Sequence, residues 1–192
     1  GSIFIAGAGV QWLRDRMKFF KKAPETEKIV KSLKDNNNIY LVPAFTGLGA
    51  PYWDANARGV LSGITRDTSP KEIVRATIEA VAYQTYDLFE AMKHDGLRPK
   101  IVKVDGGMVM NNWFSQFLSD VVNVKVLRPK VQETTALGAA LMAGLQIGVY
   151  KSLKDISKNW HLDKKFTPKM KNSSRNKLLK GWSAAIKKTL TN

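Results

Sequence analysis

Hydrophobic positions recur along the chain with two different periods, and the period separates predicted strands from predicted helices. Short apolar and β-branched runs predict strands at residues 2–6, 39–42, 60–64, 101–104 and 124–127. Apolar residues spaced three or four apart predict helices after residue 7, within 23–38, from 70 to before 96, at 112–122, from 135 to about 149, and within 151–192. Strands that alternate with helices indicate an α/β fold with a central sheet flanked by helices.

The longest predicted helix has a clear start. Ser69 can cap it, Pro70 suits the first helical position, and Glu72 can reach back to complete a capping box. Before this helix, the stretch AFTGLGAPYWDANARG combines glycines, aromatic residues and turn-forming residues, so it predicts a long loop. Asp54 and Arg58 lie four residues apart in this loop, and we expect them to pair locally rather than to act in catalysis.

The stretch KIVKVDGGMVMNN is the main candidate for chemistry, because a strand gives way there to a helix through Asp105, Gly106 and Gly107. Ligands of α/β proteins bind beyond the carboxyl ends of strands, and glycines there let a ligand lie against bare backbone. The free N–H groups at a helix start also favour negative charge. The pattern therefore predicts a phosphate-bearing ligand, although a glycine pair alone is a weak signal.

The side chains around this turn allow more than one interpretation. Asp105 can orient a metal-bound water or a ribose hydroxyl, or it can simply fix the turn. Asn111 or Asn112 can hydrogen-bond a base or ribose, or can only cap the helix. The segment around Gly7 and Gln11 repeats the layout of apolar run, glycine and helix. The Walker pattern G-x-x-x-x-G-K-[ST] does not occur, which excludes a P-loop NTPase.

Composition narrows the class of protein further. The chain has no cysteine and only two distant histidines, which excludes disulfides and thiol catalysis and argues against structural zinc. No secretory signal or membrane-spanning run is visible, so a cytoplasmic location is expected. Lys and Arg number 31 against 16 Asp and Glu, a net charge of +15. No aromatic-interleaved basic strand or recognition helix accompanies this charge, so we interpret it as a solvated surface and keep a nucleic-acid or anionic-surface module as an alternative.

Several blocks, in the same order, resemble the C-terminal half of the glycerol kinases, which belong to the FGGY family of carbohydrate kinases. The blocks are GSIFIAGAGVQWLRD, VPAFTGLGAPYWDANARG, IVRATIEAVAYQT, VDGGMVMNN, RPKVQETTALGAALMAGL and the ending RN…GW…A. The stretch GVLSGITRDTSPKEIVRATIE also fits the second signature of the family. Matched blocks in one order are far more specific than any single block.

The resemblance implies an actin-like ATPase fold, which is ribonuclease H-like, with a mixed central sheet and with this chain as the second, nucleotide-binding domain. It implies that Gly107 and Asn111 hold the ADP part of the nucleotide and that Gly7 and Gln11 contribute to the ATP site. The implied cofactors are ATP and magnesium. The implied reaction transfers the γ-phosphate of ATP to glycerol in a cytoplasmic homo-oligomer. Another polyol or sugar kinase of the family is the alternative, although GLGAPYWD favours glycerol.

The resemblance also implies that much of the catalytic apparatus lies outside this chain. The substrate-binding domain, the aspartate base and the first phosphate-binding hairpin belong to an N-terminal domain, so no residue here is assigned a catalytic or metal-binding role. Residues 151–192 are expected to form a basic C-terminal helical extension. Half of a catalytic cleft cannot position both reactants, so the chain alone is expected to bind ADP or ATP weakly and to show no kinase activity.

Overall fold

The computed structural model describes residues 3–191. The helices are α1 (Gly7–Asp15), α2 (Glu25–Lys31), α3 (Pro70–His94), α4 (Asn112–Val122), α5 (Thr134–Gln146), α6 (Leu153–Ser157) and α7 (Asn172–Thr189), and a 3₁₀ turn (Gly107–Met110) precedes α4. The strands are β1 (Tyr40–Val42), β2 (Val60–Ser62), β3 (Ile101–Lys103), β4 (Lys125–Pro129) and β5 (Leu162–Phe166). No helix within the described range is both long and apolar enough to cross a membrane.

The strands form two small sheets in the described part of the chain. β1 and β2 pair antiparallel. β3 pairs with β4 in parallel and β4 pairs with β5 antiparallel, so the second sheet is mixed. The predicted α/β class with a mixed sheet and flanking helices is therefore confirmed, with the difference that the strands are divided between two sheets.

Two predictions about strands differ from the structure. The predicted strand at residues 2–6 is wrong for residues 3–6, which form a turn and a bend, while Ser2 lies outside the described residues. Ile5 is buried and Phe4 lies against Gly49, so this apolar run packs as a loop and pairs with no described strand. The sequence pattern also fails to predict β5, because three of its five residues are charged. It forms through backbone pairing with β4 and burial of Phe166.

The helix α3 lies at the centre of the fold. Its predicted capping box is confirmed: Ser69 Oγ accepts from the Lys71 N–H (3.3 Å), and the Glu72 carboxylate accepts from the Ser69 N–H (3.0 Å). Every residue from 74 to 83 is buried, and α3 packs against α1, α2, α4 and β1. This segment of α3 is buried on all sides, so the elements around it pack onto a common surface.

A fully buried carboxylate, Glu79, joins α3 to the turn before β1. Arg75 Nε donates to Glu79 at 2.7 Å, the Tyr83 hydroxyl donates at 2.8 Å, and Asn36 Nδ2 donates at 3.3 Å. Burial raises the pKa of Glu79, although these three partners favour its ionised form. Removing one partner would leave a buried charge without compensation, so the network fixes the packing of the turn against α3.

The long loop predicted between β1 and β2 is held by Asp54, which is 4% exposed. Its carboxylate accepts from the N–H of Ala57 (2.9 Å) and from the N–H of Thr191 (2.8 Å). Hydrogen bonding by Thr191 is the main reason why the pKa of Asp54 is lowered. The predicted pairing of Asp54 with Arg58 is wrong, because Arg58 donates to backbone carbonyls of its own loop. Asp54 instead ties this loop to the end of α7.

The last helix is part of the core. Trp182 of α7 is 1% exposed and stacks on Tyr83 with ring centroids 5.2 Å apart. Its indole N–H donates to Asp87 of α3 at 2.7 Å. Burial raises the pKa of Asp87 to about 6, even though hydrogen bonds from Trp182 and Tyr52 favour the carboxylate. The Asp87 carboxyl therefore lies between α3 and α7, where its protonation affects how the two helices pack.

This buried carboxyl predicts a pH dependence of stability. The folded state holds the Asp87 proton more tightly than the unfolded state, so this group's contribution is complete below about pH 4 and is lost as pH rises through about 6. The unfolding free energy of D87N relative to the unmodified chain should therefore rise by up to about 1.4 kcal/mol per pH unit in that window and then level off. Urea unfolding from pH 4 to 8 tests this, and a difference that stays constant with pH would contradict it.

Candidate functional site

The four residues predicted to bind a ligand, Gly7, Gln11, Gly107 and Asn111, line one cavity of about 380 Å³. The cavity lies between α1, α2 and the 3₁₀ turn that leads into α4. The remaining lining residues are Val10, Arg14, Ala23, Pro24, Thr26, Glu27, Ile78, Met108 and Met110. Residues about a hundred positions apart in the sequence therefore meet around one space.

The turn that follows β3 presents bare backbone to this cavity. Gly106 has φ +87°, a conformation that side chains disfavour, and a Cβ added at Gly107 would meet no atom within 4 Å. Residues before and at the start of α5 hold this turn in place. The Gly106 N–H donates to the Gln132 carbonyl at 3.3 Å, and the Thr134 hydroxyl donates to Asp105. Asp105 thus holds the turn against the start of α5, which is one of the roles that the sequence allows for it.

Asn111 has a structural role in addition to its place at the cavity. Its side-chain oxygen accepts from the Phe114 N–H at 2.9 Å, so Asn111 is the N-cap of α4. Its amide nitrogen donates to Thr26 Oγ1 at 3.4 Å. Asn112 does not cap the helix: its N–H donates to Glu27 at 3.2 Å, and its side chain accepts from Lys164 at 3.1 Å. α2 and α4 are therefore joined directly beside the cavity.

The start of α1 forms the opposite wall. α1 begins at Gly7, with no side-chain cap and no acidic residue in its first turn. Free N–H groups at such a start carry partial positive charge and favour an anionic group. A Cβ at Gly7 would meet nothing within 4 Å, so the backbone is open to a ligand at this point.

Two charged side chains that the sequence pattern does not single out, Arg14 and Glu27, also line the cavity. Arg14 is paired with Asp15 at 2.7 Å. Burial alone would raise the pKa of Glu27, but hydrogen bonds from Lys31 and the Asn112 N–H outweigh it and lower the pKa. Arg14 could have been found from the sequence, because Gly7, Gln11 and Arg14 share one helical face at spacings of four and three. Glu27 could not, since only the packing of α2 brings it to the cavity.

A second cavity, of about 560 Å³, lies between the turn before β1, α4 and α7. None of the predicted site residues lines it. Its largest aromatic residue, Trp113, is stacked on Phe117 at 4.9 Å and faces the Arg75 guanidinium at 5.1 Å. These contacts occupy the ring faces that a nucleotide base would stack on, so this cavity suits a base less well.

Residues 1–147 match the C-terminal domain of the FGGY family of carbohydrate kinases. The chain belongs to this family. Glycerol kinase 1 of Pseudomonas aeruginosa is 55% identical over 188 residues, and a glycerol kinase of Clostridium botulinum is 51% identical over 191 residues. The matches cover 98% and 99% of this chain but only 38% of each relative. The chain therefore spans well under half the length of these two relatives.

Solved structures agree with the family assignment. The Plasmodium falciparum glycerol kinase, crystallised with ADP, superposes with a TM-score of 0.87 at 36% identity, covering 100% of this chain and 38% of that one. Xylulose kinase from Lactobacillus acidophilus superposes with a TM-score of 0.78 at 24% identity over 95% of this chain and 37% of its own, and supports the fold alone. The predicted actin-like ATPase fold of an FGGY kinase C-terminal domain is confirmed.

Substitutions at Asn111 can separate its role as a helix cap from its amide donor. We expect N111A to lower the unfolding free energy by about 1 kcal/mol, because it removes the α4 cap. We expect N111D to stay within about 0.5 kcal/mol of the unmodified chain, because aspartate also caps helices well. Urea unfolding followed by circular dichroism measures both values. Equal losses in the two variants would contradict the capping role.

Proposed function

We propose that the chain is the nucleotide-binding part of a glycerol kinase that transfers the γ-phosphate of ATP to glycerol and yields glycerol 3-phosphate and ADP. One observation carries this proposal. Gly7, Gln11, Gly107 and Asn111, the residues that the resemblance implies for the nucleotide, all line one cavity. The same fold, at 36% identity, occurs in a glycerol kinase crystallised with ADP.

The cavity suits a nucleoside diphosphate for three physical reasons. Gly7 and Gly107 leave backbone that phosphate and ribose can approach without steric conflict. The uncapped start of α1 favours the negative charge of the phosphates. Apolar side chains, including Ile78 and Met108, offer a surface on which a base can be buried. Polar side chains placed on an otherwise apolar wall are the usual composition of such a site.

The reaction needs more than this cavity. Phosphoryl transfer depends on holding the acceptor hydroxyl in line with the γ-phosphate and on stabilising charge that develops between them. In our proposal the glycerol-binding groups and the base lie in the part of the relatives that this chain does not span. The chain by itself then binds nucleotide but does not phosphorylate glycerol.

Magnesium is the metal implied for such a kinase, where it would neutralise charge on the nucleotide phosphates. Within residues 3–191 there is no group of three or more His, Asp or Glu side chains that could hold a metal ion. In our proposal the protein groups that would hold the ion lie largely in the part of the relatives that this chain does not span. A cytoplasmic location and a homo-oligomeric parent enzyme belong to the same proposal.

The alternatives are a kinase for another polyol or sugar and a basic binding module. The curated glycerol kinase relatives, at 51% and 55% identity, favour glycerol, whereas the xylulose kinase likeness supports only the fold. The net charge of +15 is the sole feature that favours a nucleic-acid or anionic-surface module. Titration of duplex DNA and of anionic vesicles at rising salt separates these cases, because tight binding with a steep salt dependence would favour the basic module.

A substitution at the glycine turn tests the nucleotide site. We expect G107V to weaken ADP binding at least about tenfold, because the side chain would occupy space that the ligand needs. The control is G138V: Gly138 lies in α5, and its Cβ would likewise meet nothing within 4 Å. We expect the control to bind ADP like the unmodified chain. Isothermal titration calorimetry measures the three affinities, and unchanged binding by G107V would contradict the assignment.

A further inference from the structure

The second cavity, of about 560 Å³, has a buried arginine in its wall. Arg75 of α3 is 8% exposed, and its Nε donates to Glu79 at 2.7 Å. Its Nη1 donates to the Leu33 carbonyl at 2.9 Å. The guanidinium also lies over the Trp113 ring, 5.1 Å from its centroid. These three contacts hold the guanidinium in one orientation, so its remaining N–H groups have fixed directions.

One nitrogen of this guanidinium, Nη2, has no hydrogen-bond partner within residues 3–191. It is nevertheless accessible. Among the described residues, the unpaired side-chain atom that is fully enclosed is Gln84 Nε2, so solvent must reach the unpaired Arg75 Nη2. Because Arg75 lines the cavity and is otherwise buried, the cavity is the route to Nη2. A buried cation with unused N–H groups favours an acceptor that carries negative charge.

Two lysines at the solvent side of the cavity add positive charge. Lys34 precedes the turn before β1, Lys177 belongs to α7, and both line the cavity and are exposed. Neither lysine takes part in an ion pair within the described range. The two lysines therefore come from different elements and are available to an anion that is held at Arg75 Nη2.

Two carboxylates also line the cavity, but backbone N–H groups already use one oxygen of each. Asp120 Oδ1 accepts from the Lys169 N–H at 2.6 Å and from the Met170 N–H at 3.2 Å. Asp35 Oδ1 accepts from the Asn37 N–H at 2.9 Å. Hydrogen bonds to a carboxylate stabilise its charge within the protein. The cationic side chains of the lining outnumber these two acids, so the lining has a positive net charge.

Apolar side chains beside these cations narrow the class of ligand. Met170 and Leu178 line the cavity together with Trp113. Because Phe117 and Arg75 lie against the Trp113 ring, a ligand meets the edge of this ring rather than its faces. The volume lies in the range of small-molecule sites, which join apolar walls with a few placed polar groups. Such a lining suits an organic molecule rather than a bare inorganic ion.

We propose that the second cavity binds a small organic anion, whose carboxylate or phosphate accepts from Arg75 Nη2 between Lys34 and Lys177 and whose apolar part lies against Met170 and Leu178. No described residue lines both this cavity and the one assigned to the nucleotide. The inference is therefore independent of the proposed function.

The test titrates the 192-residue chain with phenyl phosphate, benzoate and phenol and follows its N–H signals by NMR. The two anions carry different acidic groups on the same ring, and phenol is the uncharged control. We expect at least one anion to shift the Arg75 Nε–H and Trp113 indole signals with a Kd of about 5 mM or less, and phenol to bind at least about tenfold more weakly. The tighter anion identifies the acidic group that the site prefers.

Matched variants test the cations. R75K keeps a positive charge and removes Nη2, and K34A/K177A removes the two lysines of the lining. The control, K28A/K180A, removes the same charge from exposed lysines outside the cavity. We expect R75K to weaken anion binding at least about tenfold, K34A/K177A at least about fivefold, and the control less than about twofold. Circular dichroism checks folding, and K34A/K177A carries the test if R75K, a change at a buried residue, does not fold.

Three results would overturn the inference. They are no shift at Arg75 and Trp113 with either anion, binding of phenol as tight as that of the anions, and equal weakening by K34A/K177A and K28A/K180A. The Gly107 amide reports on the other cavity, so anion shifts confined to it count as the first of these results. Failure of ADP to shift Gly107 would contradict the proposed function and leave the anion site standing.

Discussion

The packing of α1, α2 and α4 against one buried helix, α3, is the constraint on which the candidate site depends. Each wall of the 380 Å³ cavity belongs to an element in contact with α3 or directly precedes one, and Ile78 of α3 contributes to the lining. The buried Glu79 and Arg75 pair keeps α3 in one position relative to the turn before β1. Because protein interiors are close-packed, a shift of α3 would move all the walls together.

The packing around α3 also determines which groups the cavity presents to a ligand. The cavity offers bare backbone and an uncapped helix start, which are groups that suit an anionic ligand. In our proposal the chain supplies the nucleotide-binding geometry, whereas phosphoryl transfer also needs groups that hold the acceptor, in the part of the relatives that this chain does not span.

The sequence predicts the parts of the structure that local rules determine. The capping box at Ser69, the bounds of α4 and the position of the Gly106 turn follow from capping residues, helical spacing and glycine chemistry, and the structure agrees with each. The four site residues converge because α1 and α4 both pack against α3, which brings the start of α1 close to the turn that leads into α4. Their binding role remains a prediction.

Features that depend on distant contacts could not be predicted in this way. β5 is rich in charge and forms only because β4 offers an edge to pair with. Asp54 finds its partner in Thr191, more than a hundred residues away, rather than in nearby Arg58. Glu27 reaches the cavity through the packing of α2 beside α4. In each case the contact joins residues that are distant in the sequence, so the local spacing of residues does not predict it.

A crystal structure of this chain grown with ADP tests the central claim most directly. ADP is expected in the cavity between α1, α2 and the turn before α4, in contact with Gly107 and Asn111 and with its phosphates beside the start of α1. ADP bound in the other cavity, beside Trp113 and α7, or anywhere else away from Gly107 and Asn111, would contradict the assignment of the site.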